Sequence, residues 1–140
     1  MKHLNDYIVE SLDEYSYVFV VLKPGSLDLA QTIIERFAED GWSVYTTTTK
    51  QLLPEEASKL YYVHRKEEFY KPLCEYMASS PCRAFIFAKE GSKHPFKEVK
   101  AIKDEIREKY GESDMRNVLH SSDSQDNMDK EAPIFFTKTW

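Results

Sequence analysis

Cysteine is scarce. The two in these 140 residues, Cys74 and Cys82, have neither the spacing of a metal-ligand motif nor that of a disulfide framework. A disulfide-stapled scaffold and a cysteine-based metal centre are therefore excluded, and both thiols are expected to be reduced and structural, in a reducing compartment. A basic excess is also lacking: 19 Lys and Arg stand against 24 Asp and Glu, a formal net charge of −5. The signs are interleaved, which argues against a dedicated nucleic-acid surface but leaves room for a local basic pocket that holds a small anion. No apolar run approaches the roughly 20 residues that span a bilayer, so no membrane association is expected. Met1-Lys2-His3-Leu4-Asn5-Asp6 lacks the apolar stretch of a secretory signal, and the expected location is cytoplasmic. There is no internal repeat, low-complexity tract or Gly/Ser/Pro-rich linker. A chain of this length with 41% apolar residues can bury one sizeable core without staples. Residues 1–14 read as a polar N-terminal extension and 15–140 as one domain.

What is present is a regular alternation. Tyr17-Val18-Phe19-Val20-Val21-Leu22 is a continuous β-branched and aromatic run, the pattern of a strand covered on both faces. Ala30, Ile33, Ile34, Phe37 and Ala38 fall on one face of a helix, which Gly41 stops. Trp42 to Thr49 reads as a second strand. Pro54 suits a helix start, with Glu55 and Glu56 at the positive end of its dipole. Phe69, Leu73, Tyr76 and Met77 share a helical face that Pro72 is expected to kink or divide. Ala84 to Ala88 is the third strand. Pro95 opens a helix buried along Phe96, Val99, Ile102, Ile106 and Tyr110. A polar segment with one histidine follows, and Ile134-Phe135-Phe136 is expected to close the chain as a last short strand. This order predicts an α/β sandwich: a ferredoxin-like, four-stranded, mainly antiparallel sheet with helices over its faces.

The polar segment carries the chemistry. In Arg116-Asn117-Val118-Leu119-His120-Ser121-Ser122-Asp123-Ser124, with Glu131 downstream, a histidine is surrounded by a guanidinium, an amide, hydroxyls and carboxylates. A neutral imidazole can attack phosphorus and split one transfer into two steps through a covalent phosphohistidine. It needs one ring nitrogen free and the other held by an acceptor that fixes the tautomer; Glu131 can be that holder. Arg116 and Asn117 are candidates for phosphate oxygens. Alone, a histidine in a polar loop is more often an ordinary surface residue.

From Tyr17 to the C-terminus the chain resembles the nucleoside diphosphate kinase family. Asn117-Val118-Leu119-His120-Ser121-Ser122-Asp123 fits its active-site signature, with Arg116 and Glu131 matching on either side. Leu22-Lys23-Pro24, Tyr61 with His64, Phe69-Tyr70, Glu75 to Pro81, Ile106-Arg107 and Tyr110-Gly111 match further elements in the right order. The resemblance implies a ping-pong kinase in which His120 is phosphorylated by a nucleoside triphosphate such as ATP and discharged by a nucleoside diphosphate. It places Glu131 and Ser122 with His120 in the catalytic set. Lys23, Tyr61, Arg107 and Asn117 would contact phosphates and ribose, and Phe69 would stack on the base. Mg²⁺ would be bound through the nucleotide phosphates, with Asp123 a candidate contact through water and no direct side-chain ligand expected.

The match breaks between the third strand and Arg107. The family carries there a second phosphate-binding Arg, a Thr and a long loop ending in Pro-Gly-Thr. Here Glu90 to Glu105 is several residues shorter and has neither the Arg nor the Thr. Its amphipathic stripe predicts one helix running into Arg107. Lys97, Lys100 or Lys103 can supply charge, but as point charges without the bidentate fork; a lost charge-assisted hydrogen bond costs about 1.5–3 kcal/mol. The family builds its hexamer with that loop, so the expected homo-oligomer is a dimer more readily than a hexamer. The alternative function is a catalytically weak or inactive kinase-like module that binds nucleotide or serves as a scaffold.

Overall fold

The computed structural model describes residues 15–140, so the expected extension at 1–14 lies outside the described residues. Four strands form one sheet: β1 (Tyr15–Leu22), β2 (Ser43–Lys50), β3 (Cys82–Glu90) and β4 (Leu119–Ser121). Their spatial order is β2-β3-β1-β4, and every neighbouring pair is antiparallel. The helices are α1 (Ala30–Glu39), α2 (Pro54–Leu60), α3 (Tyr70–Met77), α4 (Pro95–Tyr110) and α5 (Gln125–Glu131). This is the expected ferredoxin-like α/β sandwich.

The unbroken apolar run of β1 follows from its central position. Successive side chains point to opposite faces of a strand, and both faces here are covered. Val18, Val20 and Leu22 pack with Phe85 and Phe87 of β3 beneath α1 and α4. Phe19 and Val21 pack with Ala84 and Ile86 against α2, α3 and Met128 of α5. Gly41 takes φ +88° where the chain leaves α1, a conformation that a Cβ disfavours. The helix predicted to run into Arg107 is present as α4, continuous from Pro95 to Tyr110.

Three local expectations are corrected. Ile134-Phe135-Phe136 is not a strand: Ala132–Ile134 is a 3₁₀ turn, and the amides of Phe135 and Phe136 both donate to the Ala132 carbonyl. Both edges of β1 are already occupied by β3 and β4, so these aromatics pack sideways against Phe19 with ring centroids 5.8 and 6.4 Å away. The fourth strand comes instead from the histidine segment, where His120 pairs with Val21 and Leu119 with Leu22. Pro72 neither kinks nor divides its helix, because α3 begins at Tyr70; proline in a first turn removes an N–H that has no intrahelical partner anyway.

The face between the sheet and α1 is dominated by aromatic stacking, with Phe37 and Phe87 nearly parallel at 4.2 Å and both fully buried. Phe37→Ala is expected to destabilise the fold by about 3–5 kcal/mol, read as a lowered urea midpoint with an unchanged transition slope.

Candidate functional site

β4 delivers the histidine. Leu119 and His120 alternate across the strand, so Leu119 enters the α1/α4 core while His120 faces the opposite side, where the ring of Tyr61 meets it edge-on at 5.0 Å. The strand is entered through Val118, whose φ of +77° is a left-handed conformation that a β-branched residue rarely adopts. The turn is tied down by the Lys23 amide donating to the Val118 carbonyl at 2.8 Å and by an Arg107 guanidinium N–H donating to the Leu119 carbonyl at 2.7 Å. On the far side, Ser124 caps α5 by accepting from the Asn127 amide at 3.2 Å. About two turns later, at the end of α5, Glu131 places its carboxylate against Nε2 of His120.

That contact sets the chemistry of the ring. Glu131 is 5% exposed and accepts from Nε2–H, which leaves Nδ1 as the nitrogen with a lone pair and no hydrogen-bond partner among the described residues. Burial holds the His120 pKa below its usual value, with Glu131 opposing and Lys23 and Lys103 reinforcing the shift. The ring is thus neutral at physiological pH and oriented by one nitrogen. Ser122 is also buried, but its hydroxyl has no hydrogen-bond partner among the described residues and it does not line the pocket onto which His120 opens.

His120 opens onto a pocket of about 510 Å³ that also takes in Lys23, Tyr61, Phe69, Arg107, Asn117 and Asp123. All five residues expected to bind nucleotide therefore line one cavity with the candidate nucleophile. Lys23 is 3% exposed and donates to Asn117 Oδ1 at 2.6 Å and to the Met115 carbonyl at 3.1 Å. Burial, then the charges of Arg107 and Lys103, pull its pKa down to about 7. Arg107 is likewise lowered by burial; among the described residues its Nε has no hydrogen-bond partner, and neither does the buried Tyr61 hydroxyl, whose pKa burial raises. Cationic groups with unfilled hydrogen-bonding capacity, in a partly desolvated cleft, form a receptor for a polyanion. Phe69, 49% exposed, stands with His64 at 5.4 Å and offers a flat apolar surface.

Arg116 is not brought into this pocket. Its guanidinium lies over the Tyr76 ring at 5.1 Å and lines a separate cleft. Conversely, His64, Lys100 and Lys103 line the pocket, although the resemblance implies no contact for His64 and leaves the choice among the lysines open. Helical spacing is the signal that finds Lys103, four residues before Arg107 on α4 and so on the same face.

The family model described as nucleoside diphosphate kinase matches residues 16–139. The nucleoside diphosphate kinase of Chlorobium limicola is 32% identical over 126 residues, covering 84% of this chain and 90% of the relative. That of Fervidobacterium nodosum is 33% identical over 131 residues, covering 85% and 87%. A crystal structure of the Aquifex aeolicus nucleoside diphosphate kinase superposes with a TM-score of 0.78 at 25% identity, covering 88% of this chain and 96% of that one.

The depressed Lys23 pKa has a consequence for stability. Between about 7 and the ordinary 10.5, the unfolded chain holds a proton that the folded chain has released, so stability rises with pH across that window. The Cys82 thiol, pushed by burial from 9.0 to about 12, acts in the opposite sense above pH 9, which leaves pH 7–9 as the clean range. Urea titrations at pH 7 and pH 9 should show the native protein gaining stability and Lys23→Met gaining less.

Proposed function

The chain belongs to the nucleoside diphosphate kinase family, and from that premise we propose that it transfers the γ-phosphate of a nucleoside triphosphate to a nucleoside diphosphate through a phosphohistidine at His120. The observation that carries the proposal is the Glu131–His120 contact at the floor of a cationic pocket. An imidazole held at Nε2 and bare at Nδ1 has its nucleophilic lone pair directed where phosphate would lie.

In the first half-reaction the donor places its base against Phe69 and its phosphates among Lys23, Tyr61, Arg107 and Asn117. Stacking accepts any base, because every base has a π-face, so broad nucleotide specificity is expected. The Nδ1 lone pair attacks the γ-phosphorus, and the bond to the β–γ bridging oxygen breaks with its electron pair staying on the departing diphosphate. The ring then carries positive charge, which the Glu131 carboxylate stabilises through the retained Nε2–H. Lys23 and Arg107 meet the negative charge that grows on the leaving oxygens. In the second half-reaction a terminal oxygen of the acceptor diphosphate attacks the same phosphorus, the N–P bond breaks, and the neutral ring is restored.

Mg²⁺ fits this site only as a companion of the substrate. Among the described residues no cluster of three His, Cys, Asp or Glu side chains can hold a metal ion, and the pocket wall sets Lys23, Lys100, Lys103 and Arg107 against the carboxylates of Asp114 and Asp123. Asp123, whose side chain is 72% exposed, is the carboxylate placed to hold the ion through water. When bound, Mg²⁺ neutralises charge on the phosphate oxygens.

Intact mass after mixing the protein with ATP and Mg²⁺ tests the proposal. One acid-labile phosphate is expected on the native chain, none on His120→Ala, and the phosphate should leave when GDP is added. Nucleotide binding without phosphorylation would replace the kinase reading with that of a nucleotide-binding module.

A further inference from the structure

Among the described residues, Lys103 is the one pocket cation without a hydrogen-bond acceptor. It is 7% exposed and sits on α4 four residues before Arg107, lining the same cavity as His120. Its ammonium makes no hydrogen bond among the described residues; the nearest acid is Asp123 at 3.8 Å, on a side chain that is 72% exposed. Lys23, by contrast, donates to Asn117 and to the Met115 carbonyl, and Arg107 donates to the Leu119 carbonyl. Lys100 reaches the cavity rim but is 64% exposed and bonded to Asp104 at 2.7 Å. Lys97 does not line the cavity.

A buried ammonium without an acceptor is unfavourable, and like charges close by make it more so. Lys103 has both disadvantages, since Arg107 and Lys23 are near enough to interact with it electrostatically. It is also near enough to His120 to disfavour protonation of the ring. Among the described residues only the exposed carboxylates of Asp123 and Asp104 offset this burial, and neither accepts a hydrogen bond from the ammonium. An anion between Lys103, Arg107 and His120 would supply the missing acceptor where the phosphorus must come to be attacked.

We propose that Lys103 is a phosphate-binding residue of this chain, donating from its buried ammonium to the phosphoryl group that is passed to and from His120. Resting on the phosphotransfer reading, the proposal selects one lysine of α4 as the source of positive charge opposite Lys23. Asp123 then serves as its resting partner, released when phosphate binds. The ammonium stays protonated throughout, so no proton leaves Lys103 during transfer.

The test compares the native protein with Lys103→Met and Lys103→Gln, reading tripolyphosphate, AMP, ADP and ATP affinity by calorimetry and single-turnover phosphorylation of His120 by rapid quench. Both variants should lose roughly ten- to hundredfold in tripolyphosphate and ATP affinity or in phosphorylation rate, with the loss growing from AMP to ATP. Their thermal midpoints should equal or exceed the native value, because a buried charge held only by a long, exposed ion pair has been removed. Native-like affinity and rate in both variants would overturn the proposal, as would an equal loss for AMP and ATP. Failure of the native protein to be phosphorylated would overturn the kinase reading alone, since tripolyphosphate affinity still decides the role of Lys103.

Discussion

The buried contact between the Glu131 carboxylate and Nε2 of His120 is the constraint around which the site is organised. A carboxylate at 5% exposure is unfavourable unless it is paired, and the ring N–H is the partner it has. In return, the ring loses its freedom to exchange tautomers and to rotate. The contact requires two elements to converge. β4 must pair with β1 in the register that turns His120 away from the α1/α4 core, and α5 must start at its Ser124 cap so that Glu131 falls one helix length later. The strained backbone of Val118 belongs to the same construction, since it aims the strand out of the preceding turn while Lys23 and Arg107 bond to the carbonyls of Val118 and Leu119.

A second consequence is electrostatic. Lys23, Lys103 and Arg107 all have pKa values lowered first by burial. The resting site is therefore a place where positive charge is held at some expense to stability, and an arriving polyphosphate relieves it. Substrate binding and charge relief are then one event, and the mutual repulsion of the cations becomes affinity for the anion. His120 has its pKa lowered first by burial and then by the same neighbouring cations, Lys23 and Lys103, which keeps free the lone pair that the proposed transfer uses.

Much of this was legible in the sequence, for identifiable reasons. β1 and β3 announced themselves because a strand covered on both faces is apolar at every position. The stripe Val99, Ile102 and Ile106 gave α4 its continuity through the region where the family's long loop is shortened. β4 was hidden, since three residues including one histidine carry no period. Ile134 to Phe136 misled in the other direction: strand-forming side chains say nothing about whether their amides are free, and here a turn at Ala132 had claimed them. The motif residues Lys23, Tyr61, Phe69, Arg107, Asn117 and His120 do converge on one cavity. Arg116 does not, because its side chain is drawn to Tyr76. Lys103 stood out from its neighbours only once burial and partners were known, as a charged residue on an amphipathic helix ordinarily reads as solvated.

The account's central claim is that Glu131 holds Nε2 so that Nδ1 is the nucleophile. Phosphorus–nitrogen correlation by NMR on the phosphorylated protein, with histidine labelled in the ring nitrogens, tests this most directly. The account predicts phosphorus bonded to Nδ1 of His120, with Nε2 still protonated against Glu131. Phosphorus on Nε2, or on a side chain other than His120, would contradict it.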